Sequence, residues 1–183
     1  MTHPVDSLLS DHRLIEQVLD ALESRLATME NEPFPRRFFD QTLEFLTGFA
    51  DRYHHGREED LLFPILKHCG VSEEGGPIGV MLYEHTVGRS HLGSLRENLD
   101  AAERGDPGAR EAVRAHALGY IELLRQHIQK EDNILFQIAR RVLGPADVDR
   151  LRTGFTALDE RLAAGGYQRY QEPAARLAQG GKP

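Results

Sequence analysis

Apolar residues recur at steps of three and four along most of this chain, the pattern of amphipathic helices. Leu8, His12, Ile15, Leu19, Leu22 and Leu26 form one stripe, with Asp6 or Ser7 placed to cap the helix that carries them. Pro33-Phe34-Pro35 breaks the chain. A second helix follows, with Phe39, Leu43, Leu46, Ala50, His54, Glu58, Leu61 and Ile65 on one face, and Pro64 is expected to kink its last turns. Gly70 to Pro77 reads as a loop, and Pro77 suits the first turn of a third helix carrying Ile78, Leu82, His85, Leu92, Leu95 and Leu99. Asp106-Pro107 reads as cap and first turn of a fourth, with Val113, Ala117, Tyr120, Leu124, His127, Glu131, Ile134, Ile138 and Val142 as its stripe. A shorter helix from about Ala146 to Leu162 places Val148, Leu151, Phe155 and Leu158 on one side. No stretch alternates with the period of a strand. The expected fold is all-α: an antiparallel up-down four-helix bundle over residues 1–143, with an accessory C-terminal helix over 144–164. That helix packs outside the bundle or against a partner, which is compatible with a homodimer, and a loose Gly-, Gln- and Ala-rich tail covers 165–183.

The stripes contain an anomaly. Each bundle helix has a histidine where an aliphatic residue is expected: His12, His54, His85 and His127. The second and fourth add an inward glutamate four residues on, Glu58 and Glu131, and i and i+4 share a helix face. Two segments are near-duplicates, one running from His54 through Glu58-Glu59 to Leu62-Phe63, the other from His127 through Glu131-Asp132 to Leu135-Phe136. A single histidine on such a stripe would be an ordinary hydrogen-bonded core residue, and one His/Glu pair an ordinary surface pair. Four in register with two duplicated glutamates are different, because burying a lone carboxylate costs several kcal/mol on the order of an unpaired ion. Cations among these groups would remove that cost, and nitrogen and oxygen donors without sulfur suit iron, manganese or zinc. At about 100° per residue, His54 continues the stripe and His55 does not, so His55 and Glu59 are expected to flank the site. Without metal, Glu58 and Glu131 are expected to take up protons or push the helices apart. His3, His68, His91 and His116 are expected to face solvent.

Composition narrows the function. With 22 basic and 29 acidic residues the net charge is -7, and no basic stripe is available for nucleic acid. The longest apolar runs fall far short of the roughly 20 residues that span a membrane, so no membrane partner is expected. No signal peptide is visible at the N-terminus, and a cytoplasmic location is expected. Cys69 is the only cysteine, which excludes an intrachain disulfide and thiolate-rich clusters.

The motif set resembles the hemerythrin-like HHE cation-binding domain. The resemblance rests on Asp11-His12, on His54-His55-Gly56-Arg57-Glu58-Glu59 with Leu62-Phe63-Pro64, on Glu84-His85, and on His127 to Asp132 with Leu135-Phe136, and it spans residues 5–143. It implies a non-haem di-iron centre, oxo- or hydroxo-bridged, with His12, His54, His85 and His127 as terminal ligands and Glu58 and Glu131 as bridges. It further implies a small diatomic or peroxide ligand and a role in oxygen binding, redox or nitrosative stress response, or sensing. The alternative is a metal-binding regulatory or iron-handling bundle without turnover, and no catalytic residue is assigned. Ferritin-like oxidases use Glu-x-x-His, and no Glu here is followed by His at i+3; His-Glu-x-x-His is also absent. Oxygen-carrying members place a second histidine four residues after the first on helix three, where this chain has Arg89. The expectation is a less saturated shell that favours redox turnover or sensing over reversible carriage, with Arg89 able to stabilise an anion if it turns inward. Tyr120, one heptad before His127, points the same way and is a candidate ligand or proton donor, or else a core tyrosine with its hydroxyl at the rim.

Overall fold

The computed structural model describes residues 3–29, 32–162 and 167–180. Helix α1 spans Val5–Thr28, and its buried face is the expected stripe. Neither Asp6 nor Ser7 caps it. Pro4 holds the cap position, Asp6 accepts from the His3 amide at 2.8 Å, and Ser7 Oγ donates to the Pro4 carbonyl at 2.7 Å. The second rod begins as α2 (Arg36–Phe45), continues through two π-helical segments (Leu46–His55 and Glu58–Leu62) and finishes as α3 (Phe63–His68). Gly70, at φ 87°, closes α3, with the Val71 amide on Leu66 O and the Gly70 amide on Lys67 O, the paired bonds of a Schellman motif. Helix α4 (Pro77–Glu103) has Pro77 in its first turn and ends the same way at Gly105. Asp106 then caps α5 (Pro107–Lys130), its Oδ1 accepting from the Ala109 amide at 2.8 Å. A π-helical segment (Glu131–Leu135) carries α5 into α6 (Phe136–Val142), and α7 (Pro145–Leu162) and α8 (Gln168–Ala178) follow. Among the described residues there is no strand.

The result is the expected up-down four-helix bundle. α1 and α4 each pack against the second rod and against α5. Its interior is two apolar clusters rather than one. The larger contains Ile15, Leu19, Leu22, Leu43, Leu46, Leu95 and Leu124, the smaller Val5, Leu8, Leu62, Phe63, Met81, Leu135 and Phe136. His12 falls between Leu8 of one cluster and Ile15 of the other, so a polar layer separates them.

Two expectations are corrected by the π-helical segments. Past Glu131 the stripe was expected to continue through Ile134, Ile138 and Val142, but Leu135, Phe136 and Ala139 are buried and Ile134 is 52% exposed. Past Glu58 a similar slip occurs: Leu62, Phe63 and Leu66 are buried and Leu61 is only half-buried, although Ile65 of the expected stripe stays buried. A π turn holds one residue more than an α turn, so everything after it advances by one position. Both slips begin at the duplicated glutamate.

The stretch expected as a loose tail contains α8, which buries Ala174 and Leu177 against the larger cluster and packs on α1 and α2. Gly165-Gly166 lie outside the described residues. No helix among the described residues is long and apolar enough to cross a membrane.

Candidate metal centre

All six expected ligands meet in the polar layer. His12, His54, His85 and His127 are 1% exposed, and Glu58 and Glu131 are fully buried. Within hydrogen-bond distance, His12 Nε2 faces His54 Nε2 at 3.0 Å, and His85 Nε2 faces His127 Nε2 at 3.2 Å. Glu131 Oε2 lies 3.1 Å from His12 Nε2 and 3.3 Å from His127 Nε2, thus reaching both pairs. Glu58 likewise approaches His54 Nε2 at 3.8 Å and His85 Nε2 at 3.6 Å.

The other nitrogen of each ring fixes which lone pair points inward. His12 Nδ1 meets Asp132 at 2.6 Å, His54 Nδ1 meets Asp11 at 3.1 Å, His85 Nδ1 meets Glu59 at 2.7 Å and His127 Nδ1 meets Glu84 at 3.0 Å. A carboxylate on Nδ1 selects the tautomer that leaves Nε2 as a lone pair, the arrangement that supports metal-binding imidazoles. The set has internal two-fold character. The acid before His12 and the acid before His85 serve the histidines at 54 and 127. The acids after Glu58 and Glu131 serve those at 85 and 12. The duplicated Leu-Phe also finds its purpose: Phe136 stacks on His12 with centroids 5.5 Å apart, and Phe63 stacks on His85 at 6.0 Å.

His55 was expected at the flank, and the structure corrects this. It is 4% exposed, its ring stacks on His85 with centroids 3.7 Å apart, and both ring nitrogens lack a hydrogen-bond partner. It closes the π-helical segment Leu46–His55, whose wider turns put less rotation between neighbours than an α-helix does. His54 and His55 therefore serve opposite halves of the site. Donor atoms within 4.8 Å of one another form two groups, His12, His54, Glu58 and Glu131 on one side, and His55, Glu58, His85 and His127 on the other. No fixed period signals His55 in the sequence. The clue was the His-His doublet, which the second copy lacks: its counterpart is Ile128, itself buried.

With each neighbouring Nε2 left as a lone pair, neither oxygen of Glu58 or of Glu131 has a hydrogen-bond donor. Buried carboxylates without donors beside converging imidazole lone pairs are a donor set suited to cations. In the cation's absence the groups divide protons unequally. Burial and Glu131 push the Glu58 carboxyl up, whereas the surrounding imidazoles, His127 foremost, overcome burial and hold Glu131 well below the usual range. Of the two glutamates, expected to take up protons or to push the helices apart, only Glu58 is thus inclined to protonate. Burial opposes protonation of His127, but Glu131 outweighs it and lifts the imidazole to about 10. Burial, with His85 beside it, keeps His55 well below its ordinary value and neutral.

Neighbouring groups complete the picture. Asp11 is shared between His54 and the buried Arg57, whose guanidinium lies 4.2 Å from the Tyr53 ring and 5.2 Å from Phe155 of α7. Arg89 does not turn inward. It pairs with Asp51 at 2.7 Å and Glu59 at 2.6 Å and is 42% exposed. Tyr120 is buried beside Gly88 and lines a narrow cleft with His55, His85 and His127. Its hydroxyl is pushed up by burial. His68 is exposed as expected, but His91 and His116 are half-buried and face each other, Nδ1 to Nδ1, at 3.3 Å.

The hemerythrin HHE cation binding domain matches residues 3–139. Uncharacterized protein Rv1995 of Mycobacterium tuberculosis (strain ATCC 25618 / H37Rv) is 22% identical over 179 residues, covering 97% of this chain and 69% of its own. Uncharacterized protein Mb2018 of Mycobacterium bovis is similar to the same extent, 22% over 179 residues with the same coverage. No solved structure matches. The chain belongs to the hemerythrin HHE cation-binding domain family.

Proposed function

We propose that the protein binds a pair of iron ions in the polar layer and presents one of them to a small ligand, oxygen, peroxide or nitric oxide, in a redox response or as a sensor. The donor set supports this reading. Seven side chains converge, five imidazoles and two carboxylates, and none offers sulfur. Glu58 and Glu131 each lie between the halves and would bridge the ions. His55, His85 and His127 would hold one ion, and His12 and His54 the other. When bound, the iron pair supplies electron exchange with the ligand.

The observation that carries the proposal is the unequal count. One half has a third imidazole, His55, and the other has Ile128 at the equivalent position. An ion held by fewer protein donors keeps a place for an outside ligand. The chain's own residues do the rest: carboxylates orient each Nε2, Phe63 and Phe136 cover two rings, and the two apolar clusters exclude bulk water. Since His55 supplies a fifth imidazole and Arg89 points outward, Arg89 gives no ground for an unsaturated shell on the His85 side.

Protein purified from iron-supplied cells should carry two irons per chain and a visible spectrum that shifts on adding azide or nitric oxide. Metal-free or zinc-only protein from those cells would contradict the reading. Peroxide consumption by the loaded protein separates redox turnover from the alternative, a regulatory or iron-handling bundle.

A further inference from the structure

Away from the polar layer, a groove of about 520 Å³ runs between the second rod, α4 and α8. Four guanidiniums line it, Arg52, Arg96, Arg169 and Arg176, and its aromatic wall includes Tyr53 and Tyr170. The chain as a whole carries a net charge of -7, yet four cations line this one groove. Glu44 is the one acid that lines it. Arg176 pairs with Glu172 at 3.0 Å, whereas Arg52, Arg96 and Arg169 have no carboxylate partner among the described residues. Arg96 donates only to Thr47 Oγ1, at 3.2 Å. Elsewhere Arg36 pairs with Asp40, Asp100 and Glu103, and Arg125 with Asp20 and Glu23.

The aromatic wall is held in place. Tyr170 packs against Phe49 with centroids 5.0 Å apart, and against Phe45 and Tyr53 at 6.1 and 6.2 Å. A Cβ at Gly48 would stand 3.3 Å from the Tyr170 hydroxyl, so the glycine lets the ring lie close to the helix. The Arg169 guanidinium lies 5.8 Å from the Tyr170 centroid. Guanidiniums recognise phosphate with paired donors and stack on planar rings, and an aromatic face stacks a base irrespective of its identity. The cavity is in the size range of small-ligand sites, about 300–1,000 Å³.

We propose that this groove binds a mononucleotide, with the phosphate held by the arginines, the planar ring against Tyr170, and Glu44 available to accept from a sugar hydroxyl or ring N–H. The ring is the part that differs between sources, flavin or adenine, and the phosphate is common to both. Neither the metal nor its ligands enter, so the proposal stands or falls separately from the iron reading.

Titration calorimetry on the full chain tests it, with flavin mononucleotide, AMP, riboflavin, adenosine and inorganic phosphate as probes. One nucleotide should saturate at one per chain, at least about tenfold more tightly than its dephosphorylated form and than phosphate alone. Which nucleotide does so identifies the ring. The double variant Arg96→Gln/Arg169→Gln, whose side chains are exposed, should weaken binding by about tenfold or more, and Tyr170→Leu should weaken it while keeping the apolar packing. Arg13→Gln, outside the groove, should leave it unchanged. Absence of saturable binding by both nucleotides overturns the proposal. So does binding of phosphate as tight as that of the nucleotides, or binding unaltered in the double arginine variant.

Discussion

One half of the centre has an imidazole that the other lacks. The acids on Nδ1 and the stacked phenylalanines of each half have counterparts in the other, but His55 is answered by Ile128. Replacing Ile128 with His would give both halves three imidazoles and fill the place proposed for the outside ligand. Azide titration of iron-loaded Ile128→His should show affinity weakened by at least about tenfold with two irons retained. The reverse change, His55→Ile, should keep the bundle folded, because the same residue is already accommodated at 128. Metal analysis of that variant should show iron falling from two per chain toward one. Full loading with unchanged resistance to chelator would mean that His55 is not a ligand.

At the scale of elements, the long helices and their stripes were legible in the sequence because three- and four-residue steps hold along α1, α4 and α5. That the six residues expected as ligands would meet in one buried layer was legible too, since each stands in place of an aliphatic residue. What periodicity could not supply was the π-helical geometry at Leu46–His55, Glu58–Leu62 and Glu131–Leu135. No residue type demands a π turn, and a fixed 3.6 period assigns Leu61, Ile134 and His55 to the wrong faces. Helix α8 was missed for another reason: it docks through Ala174, Leu177 and two half-buried tyrosines, too small a set to read as a stripe. Helix α7 has a part in the centre as well as in packing, through Phe155 on Arg57, Arg57 on Asp11, and Asp11 on His54. Phe155→Ala should lower stability by about 3 kcal/mol from the lost ring alone. It should also let chelator strip iron faster, which a packing defect remote from the centre would not do. Thermal melts and iron-release kinetics measured together would check both.

For the molecule as a whole, the two apolar clusters are joined across a layer that contains almost nothing apolar. Metal is expected to bind that layer together, and chelator should lower the melting temperature clearly. The pH dependence should differ between the two forms. In the metal-free protein His127 is lifted from 6.5 to about 10, so its contribution is complete below pH 6.5 and fades as pH rises through 10. Glu58, raised by burial and Glu131, adds loss in the same direction, while depressed Glu131 contributes above the ordinary carboxyl value and loses its part as the solution is acidified. The melting temperature of metal-free protein should therefore fall between pH 6.5 and 9.5, and that of loaded protein should change little, because metal-bound nitrogens and oxygens hold no protons to lose. Parallel curves would contradict the coupling. The central claim, an iron pair shared between two unequal halves, is tested most directly by diffraction from iron-loaded crystals at the iron absorption edge. Two anomalous peaks are expected, one among His55, Glu58, His85 and His127 and one among His12, His54, Glu58 and Glu131. A single peak, or none within this layer, would contradict it.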